Sequence, residues 1–288
     1  MDQMNAVDDR PWPSQFRMTS LMRLPASGGR GVYNEANLYH DAMQVRVAWH
    51  SATVDSRLKH GCLVAVRGIP LNPQLRCRST VVIERLELLD KPLAALNLFH
   101  TVPDTWVNDR LAVETAARLW EELSRPFQHL LNAVLWDAGR FCRFVTGPAT
   151  LSDYPWSPGG NFRRAVDAAE HARLVVQGLP DVSTSVVVSA ALLMRVGKAD
   201  EYRRCADHYI LSDRGQWVGA QYTILEWLAV ARAKVIVPEA QYLALVHALI
   251  AARGQPADRQ SLEATVLAVA ARLADQPQQL ARRPYYGD

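Results

Sequence analysis

Ala190-Ala191-Leu192-Leu193-Met194-Arg195-Val196-Gly197-Lys198-Ala199-Asp200-Glu201-Tyr202 is the stretch on which the reading of this chain turns. Together with Val186, Val187 and Val188 upstream it makes a segment, residues 184–196, that is apolar on every side. A helix with no polar face has to be buried, so this one is expected at the centre of a helical core. Gly197 sits where a helix C-cap is wanted, and Arg195, in the last turn, is placed to meet terminal carbonyls and the negative end of the helix dipole. Lys198, Asp200 and Glu201 then read as a solvated boundary.

Outward from that core, helical spacing runs through most of the second half of the chain. Apolar stripes predict helices at 161–177, 217–233, 238–253 and 260–274 beside the one at 184–196, and two more over 106–123 and 127–136. A Pro- and Gly-rich connection, residues 147–160, separates the two groups. Before Asp90 the period is different. Gln44–His50, Cys62–Gly68 and Ser79–Leu86 are rich in β-branched residues and read as strands. Residues 1–36 carry prolines, glycines and serines without a clear period and are expected to form a mobile arm. The fold class is therefore α+β: an arm (1–36), a small β module (37–92), a helical linker (93–158) and a helical domain (159–288).

Composition narrows the function classes only a little. The chain has 288 residues, 49% hydrophobic and 21% charged, an ordinary globular balance, and a formal charge of +3. That charge is unevenly spread: between Met43 and Arg85 seven basic residues (Arg46, Arg57, Lys59, Arg67, Arg76, Arg78, Arg85) face Asp55 and Glu84. Cys62, Cys77, Cys142 and Cys205 form no CxxC pair or zinc spacing and read as reduced thiols. No secretory leader and no bilayer-length apolar run is legible, so a cytoplasmic protein without membrane association is expected.

Four phrases carry a resemblance: Gly159-Gly160-Asn161-Phe162-Arg163-Arg164, Leu192-Leu193-Met194-Arg195-Val196-Gly197-Lys198, Ser212-Asp213-Arg214-Gly215-Gln216-Trp217-Val218-Gly219-Ala220 and Val246-His247-Ala248-Leu249 onward to Gly254. Preceded by Leu58-Lys59-His60-Gly61 opening an OB-like strand, they make residues 42–273 resemble the YhaM-type 3′-to-5′ exoribonucleases, an OB module followed by an HD-type phosphohydrolase domain. The HD-like domain of some conjugative relaxases is a more distant likeness. The resemblance implies a metal-binding site, and here its positions are changed. Arg164 stands at the histidine of the first helix, Met194 and Arg195 at the His-Asp doublet, Ala220 at the histidine after the glycine, and the last-helix aspartate falls at or near Ala271. His247 matches a family histidine and Lys198 the family lysine.

A divalent ion that activates water needs several imidazole or carboxylate ligands. Two guanidinium groups in their place would each repel a dication by about 8 kcal/mol at roughly 4 Å and an effective dielectric near 20. Arginines there suit phosphate instead. The first reading is thus a catalytically inactive relative that binds single-stranded RNA or DNA or acts as a regulator, without a cofactor. Arg46, Trp49, Arg67, Arg76 and Arg78 of the β module would supply charge and stacking, and Arg164 and Arg195 would grip phosphate. The second reading keeps a Mn- or Mg-dependent exoribonuclease that rebuilds a site from His171, His247 and the acids Glu170, Asp200 and Glu201. A third makes the chain a protein-interaction or self-associating module without nucleic acid.

Overall fold

The computed structural model describes residues 12–26, 31–69, 80–151, 158–206, 208–252 and 261–275. A curled six-stranded sheet comes first and helices follow, so the molecule is α+β. The strands are β1 (Phe16–Pro25), β2 (Val32–His40), β3 (Met43–Ser51), β4 (Leu63–Arg67), β5 (Thr80–Val82) and β6 (Arg85–Leu88), in the order β5-β3-β2-β1-β4-β6. β5 runs parallel to β3 and every other pairing is antiparallel.

The curl has a local cause. β5 and β6 are two halves of one bent run: Ile83 N–H still donates to Ala48 C=O on β3 at 2.9 Å, whereas the next amide, Glu84 N–H, donates to Arg67 C=O beside β4 at 3.0 Å. A single segment thus pairs with β3 at one end and β4 at the other and bends the sheet toward a barrel, the OB-like pairing. Alternation fills its interior. Val45, Val47 and Trp49 of β3 meet Phe16, Met18, Leu38, Val64, Val81, Ile83 and Leu86, while Gln44, Arg46 and His50 between and beside them are exposed.

The helices are α1 (Arg110–Glu121), α2 (Arg125–Leu135), α3 (Ala138–Thr146), α4 (Gly160–Val176), α5 (Thr184–Leu193), α6 (Asp213–Trp217), α7 (Gly219–Arg232), α8 (Glu239–Ala251) and α9 (Leu262–Asp275). α5 is the centre, as its all-round apolarity demands: Val186 to Leu193 are all buried, against α4, α8 and α9. Ser183 caps its first turn by accepting from Val186 N–H. A short 3-10 turn, Val196–Ala199, follows it and packs on the start of α7.

Four expectations change. Much of the stretch read as an arm is sheet, because Phe16–Pro25 forms β1 at the middle of the module and Val32–His40 forms β2; residues 1–11 lie outside the described residues. The helical part also contains a two-stranded hairpin, β7 (Tyr202–Cys205) with β8 (His208–Leu211). The helix read over 217–233 is α7, which starts at Gly219, whose φ of +75° an L side chain rarely adopts, and a separate short helix, α6, precedes it and ends on Trp217. Finally, α5 ends on Met194 as its C-cap, so Gly197 is not the cap but a residue of the turn beyond it. No helix among the described residues is long and apolar enough to cross a membrane.

Candidate ligand site

Two of the five positions that the resemblance assigns to metal, Arg164 and Arg195, converge on one internal carboxylate. Arg195 is 6% exposed, and the anion it meets is internal: its guanidinium donates to the carboxylate of Asp275, the last residue of α9. Arg164 on α4 points to the same carboxylate oxygen at 4.0 Å. Burial pulls the Arg195 guanidinium below its ordinary value, Asp275 works against that shift, and Arg164 adds to it. A carboxylate between two cations is the electrostatic inverse of a cation between carboxylates. Where phosphate was expected at Arg164 and Arg195, the structure places the Asp275 carboxylate between them.

The other positions are packing. Met194 and Ala271 belong to the helical core, and Ala220 is buried at the start of α7. His247 accepts at Nε2 from Ser261 N–H at 3.4 Å, joining α8 to the entry of α9. His171 leaves a buried Nδ1 without a hydrogen-bond partner. Among the described residues no three His, Cys, Asp or Glu side chains are grouped so as to hold a metal ion.

Asp275→Ala is expected to destabilise the fold by about 1–3 kcal/mol, below the full loss for a buried pair because Asp275 is half exposed. Arg195→Met should cost less, and the double variant should be no worse than Arg195→Met alone. Urea unfolding of the four proteins reads the cycle; an Asp275→Ala curve superposed on the parent's would remove the pair from the account.

The cationic face expected on the sheet is largely compensated. Arg46 pairs with Glu35 at 2.7 Å and Arg67 with Glu87 at 2.7 Å. Trp49 is 4% exposed inside the barrel and offers no stacking surface, a correction that follows from its inward register beside Val45 and Val47. Arg76 and Arg78 lie outside the described residues.

A different surface gathers an excess of positive charge. Between α3, the Val196–Ala199 turn, the β7–β8 hairpin and α6 lies an open cleft of about 500 Å³. Five cations line it, Arg143, Lys198, Arg203, Arg204 and Arg214, against the carboxylates of Asp200 and Asp213. Arg143 is held by Asp200 at 2.5 Å and donates to Ala199 C=O at 2.9 Å. Arg214 donates to Thr223 Oγ1 at 3.0 Å and pairs with Glu226. Lys198, which the resemblance singles out, donates from Nζ to Ala149 C=O at 2.8 Å and to the Tyr202 hydroxyl at 3.4 Å, over the Tyr202 ring. Arg203 and Arg204 are exposed and make no side-chain hydrogen bond or ion pair with any described residue.

The hairpin sets the stereochemistry of this wall. Alternation puts Tyr202 and Arg204 on one face, and the direct cross-strand pairing of Arg204 with Tyr209 brings a second phenol ring to that face. Cys205 pairs with His208, so the turn has two residues, and Ala206 in it has φ of +33°, the single non-glycine positive φ among the described residues. Arg203, Arg204 and Tyr209 were not singled out from sequence; Tyr-Arg-Arg-Cys and His-Tyr-Ile-Leu, two residues apart, were the only signal. Comparison of the chain with protein-family models, with curated proteins and with solved structures finds no match.

Proposed function

We propose that this protein is a non-catalytic binder of single-stranded nucleic acid whose phosphates lie in the cleft beside the β7–β8 hairpin. One observation carries the reading: five cations line that cleft against two carboxylates, and two of the five, Arg203 and Arg204, have no side-chain partner among the described residues. Unpaired guanidinium groups on a concave wall attract phosphate oxygens through fork-shaped, charge-assisted hydrogen bonds. Tyr202 and Tyr209 beside them supply ring surface of the kind single strands use.

The resemblance to the OB-plus-HD exoribonucleases supports the reading from a second side. An OB-like sheet ahead of a helical domain is the order those nucleases have, and Lys198, at the family lysine, lines the cleft. The non-catalytic part rests on the chemistry of the replaced positions. A guanidinium, a thioether and methyl groups at 164, 194, 195, 220 and 271 offer no donor set for a water-activating dication.

The test is fluorescence anisotropy of a labelled single-stranded oligonucleotide at several salt concentrations. Affinity should fall steeply as salt rises, with a slope near 0.7 per phosphate neutralised. Charge reversal in Arg203→Glu/Arg204→Glu should weaken binding at least tenfold and flatten that slope by about one to two phosphates' worth. No binding even at low salt, or a double variant that binds as the parent does, sinks the proposal. Cleavage of the oligonucleotide in Mn²⁺ or Mg²⁺ would overturn its non-catalytic half.

A further inference from the structure

Beyond the residues that line the cleft, α6 carries an aromatic side chain in an unusual place. Trp217, the last residue of α6, is 79% exposed. Trp49, Trp106, Trp120 and Trp227 are all buried, and Trp12 and Trp136 are partly buried, so Trp217 stands apart from every other described tryptophan. An indole held in water forgoes a large apolar gain that a core position would give it.

Its position relative to the cleft follows from helix geometry. Asp213 and Arg214, four and three residues earlier on α6, both line the cleft. Residues at i and i+4 share a helix face, and side chains lean toward the helix N-terminus, so the indole overlies the turn that carries Asp213. Ser212 fixes that turn, accepting from Gly215 N–H at 2.9 Å and donating to Asp200 C=O at 2.5 Å. Val218 caps the end of α6, and Gly219, at φ of +75°, starts α7 two residues after the tryptophan. The platform is therefore mounted on a short, tied element whose first residues line the same cleft as Arg203 and Arg204.

We propose that Trp217 is a base-stacking platform: a nucleobase of the strand lies on the indole while its neighbouring phosphates lie on Arg203 and Arg204. This rests on the cleft reading above and adds to it the part of the ligand that charge alone does not specify. Positive charge attracts any polyanion, an acidic peptide included. A flat apolar face adjoining that charge selects a ligand that alternates phosphate with planar rings. Every base presents such a face, so the contact carries no strong sequence preference.

The experiment compares two labelled strands of equal length, an ordinary single-stranded oligonucleotide and an abasic phosphodiester strand, against four proteins: parent, Trp217→Ala, Trp217→Phe and Arg203→Glu/Arg204→Glu. Trp217→Ala is expected to weaken the ordinary strand on the order of tenfold, to leave the abasic strand and the salt slope unchanged, and Trp217→Phe to restore most of the loss. The arginine variant should weaken both strands. If Trp217→Ala leaves the ordinary strand untouched, or weakens both strands equally, the platform is wrong while the cleft still stands provided the arginine variant fails to bind. If the parent binds neither strand at low salt, the cleft reading falls and the platform with it.

Discussion

Gly197→Ala is expected to destabilise the protein by about 3 kcal/mol or more, at or beyond the upper end of what overpacking costs. A Cβ at Gly197 would stand 2.0 Å from Ala220 C=O oxygen, 2.8 Å from its carbonyl carbon and 3.1 Å from its Cα. These are backbone atoms in the first turn of α7, and Gly197 itself lies in the rigid turn after α5, so neither side has a flexible side chain to swing away. Relief requires α7 to move as a body. Gly178→Ala is the matched control, since a Cβ there meets nothing within 4 Å, and a change within about 0.5 kcal/mol is expected. Urea unfolding of both variants decides it; a Gly197→Ala midpoint equal to that of the control would show that α7 shifts freely. Lys198, the next residue, lines the cleft, so any such shift should also weaken oligonucleotide binding.

The same glycine shows how far the sequence can be read. Its importance was legible from the Val-Gly-Lys run, but its reason was not: a C-cap is a local motif, whereas the contact with Ala220 joins residues that only the packed bundle brings together. Most long helices were legible because a 3.6-residue apolar period survives in them, and α5 for a different reason, an unbroken apolar run that can only be buried. β1 and β2 were missed because their outward positions include Met22 and Leu24, and their inward ones include Asn34, which blurs the two-residue alternation. The hairpin was missed for shortness, four residues a strand.

Charge was the least legible property. A count of basic residues marked the β module as cationic, yet Arg46 and Arg67 find carboxylates across the sheet, while Arg203 and Arg204, which no count distinguishes, find none among the described residues. Arg195 could be read as replacing an acid. Its partner Asp275, 80 residues on, could not, although it stands one helical turn beyond Ala271, where the resemblance seeks the last acid. In each case the sign of a local field depends on a partner chosen by tertiary structure.

Arg17→Ala is expected to cost about 3–5 kcal/mol, because this arginine joins the two halves of the molecule with a buried charge. It is 1% exposed, and its guanidinium donates from Nε to Thr101 C=O at 3.0 Å, from Nη2 to Thr101 Oγ1 at 2.9 Å and from Nη1 to Gly61 C=O at 2.7 Å. Its carbon lies 4.6 Å from the Phe141 ring centre and 5.3 Å from that of Trp106. Burial pushes its pKa down to about 9, which records what dehydrating the cation costs. The opposing gain is that β1, the Gly61 turn, the Leu98–Thr101 turn and α3 all bear on one side chain. Truncation to alanine removes the donors, strands two buried carbonyls and opens a cavity between the aromatic rings. Methionine keeps most of the volume and removes the dehydrated charge as well, so Arg17→Met should cost less than alanine, about 1–3 kcal/mol. Lysine retains the cation but not the fork, so it recovers one carbonyl and leaves the other unmet. The ordering parent, methionine, alanine in chemical unfolding, with an early loss of the near-ultraviolet signal of Trp106 in the alanine variant, is the expected result. If methionine proves as stable as the parent, the hydrogen bonds from the guanidinium do no more than offset the cost of burying it, and the joint between sheet and helices rests on the apolar contacts around it.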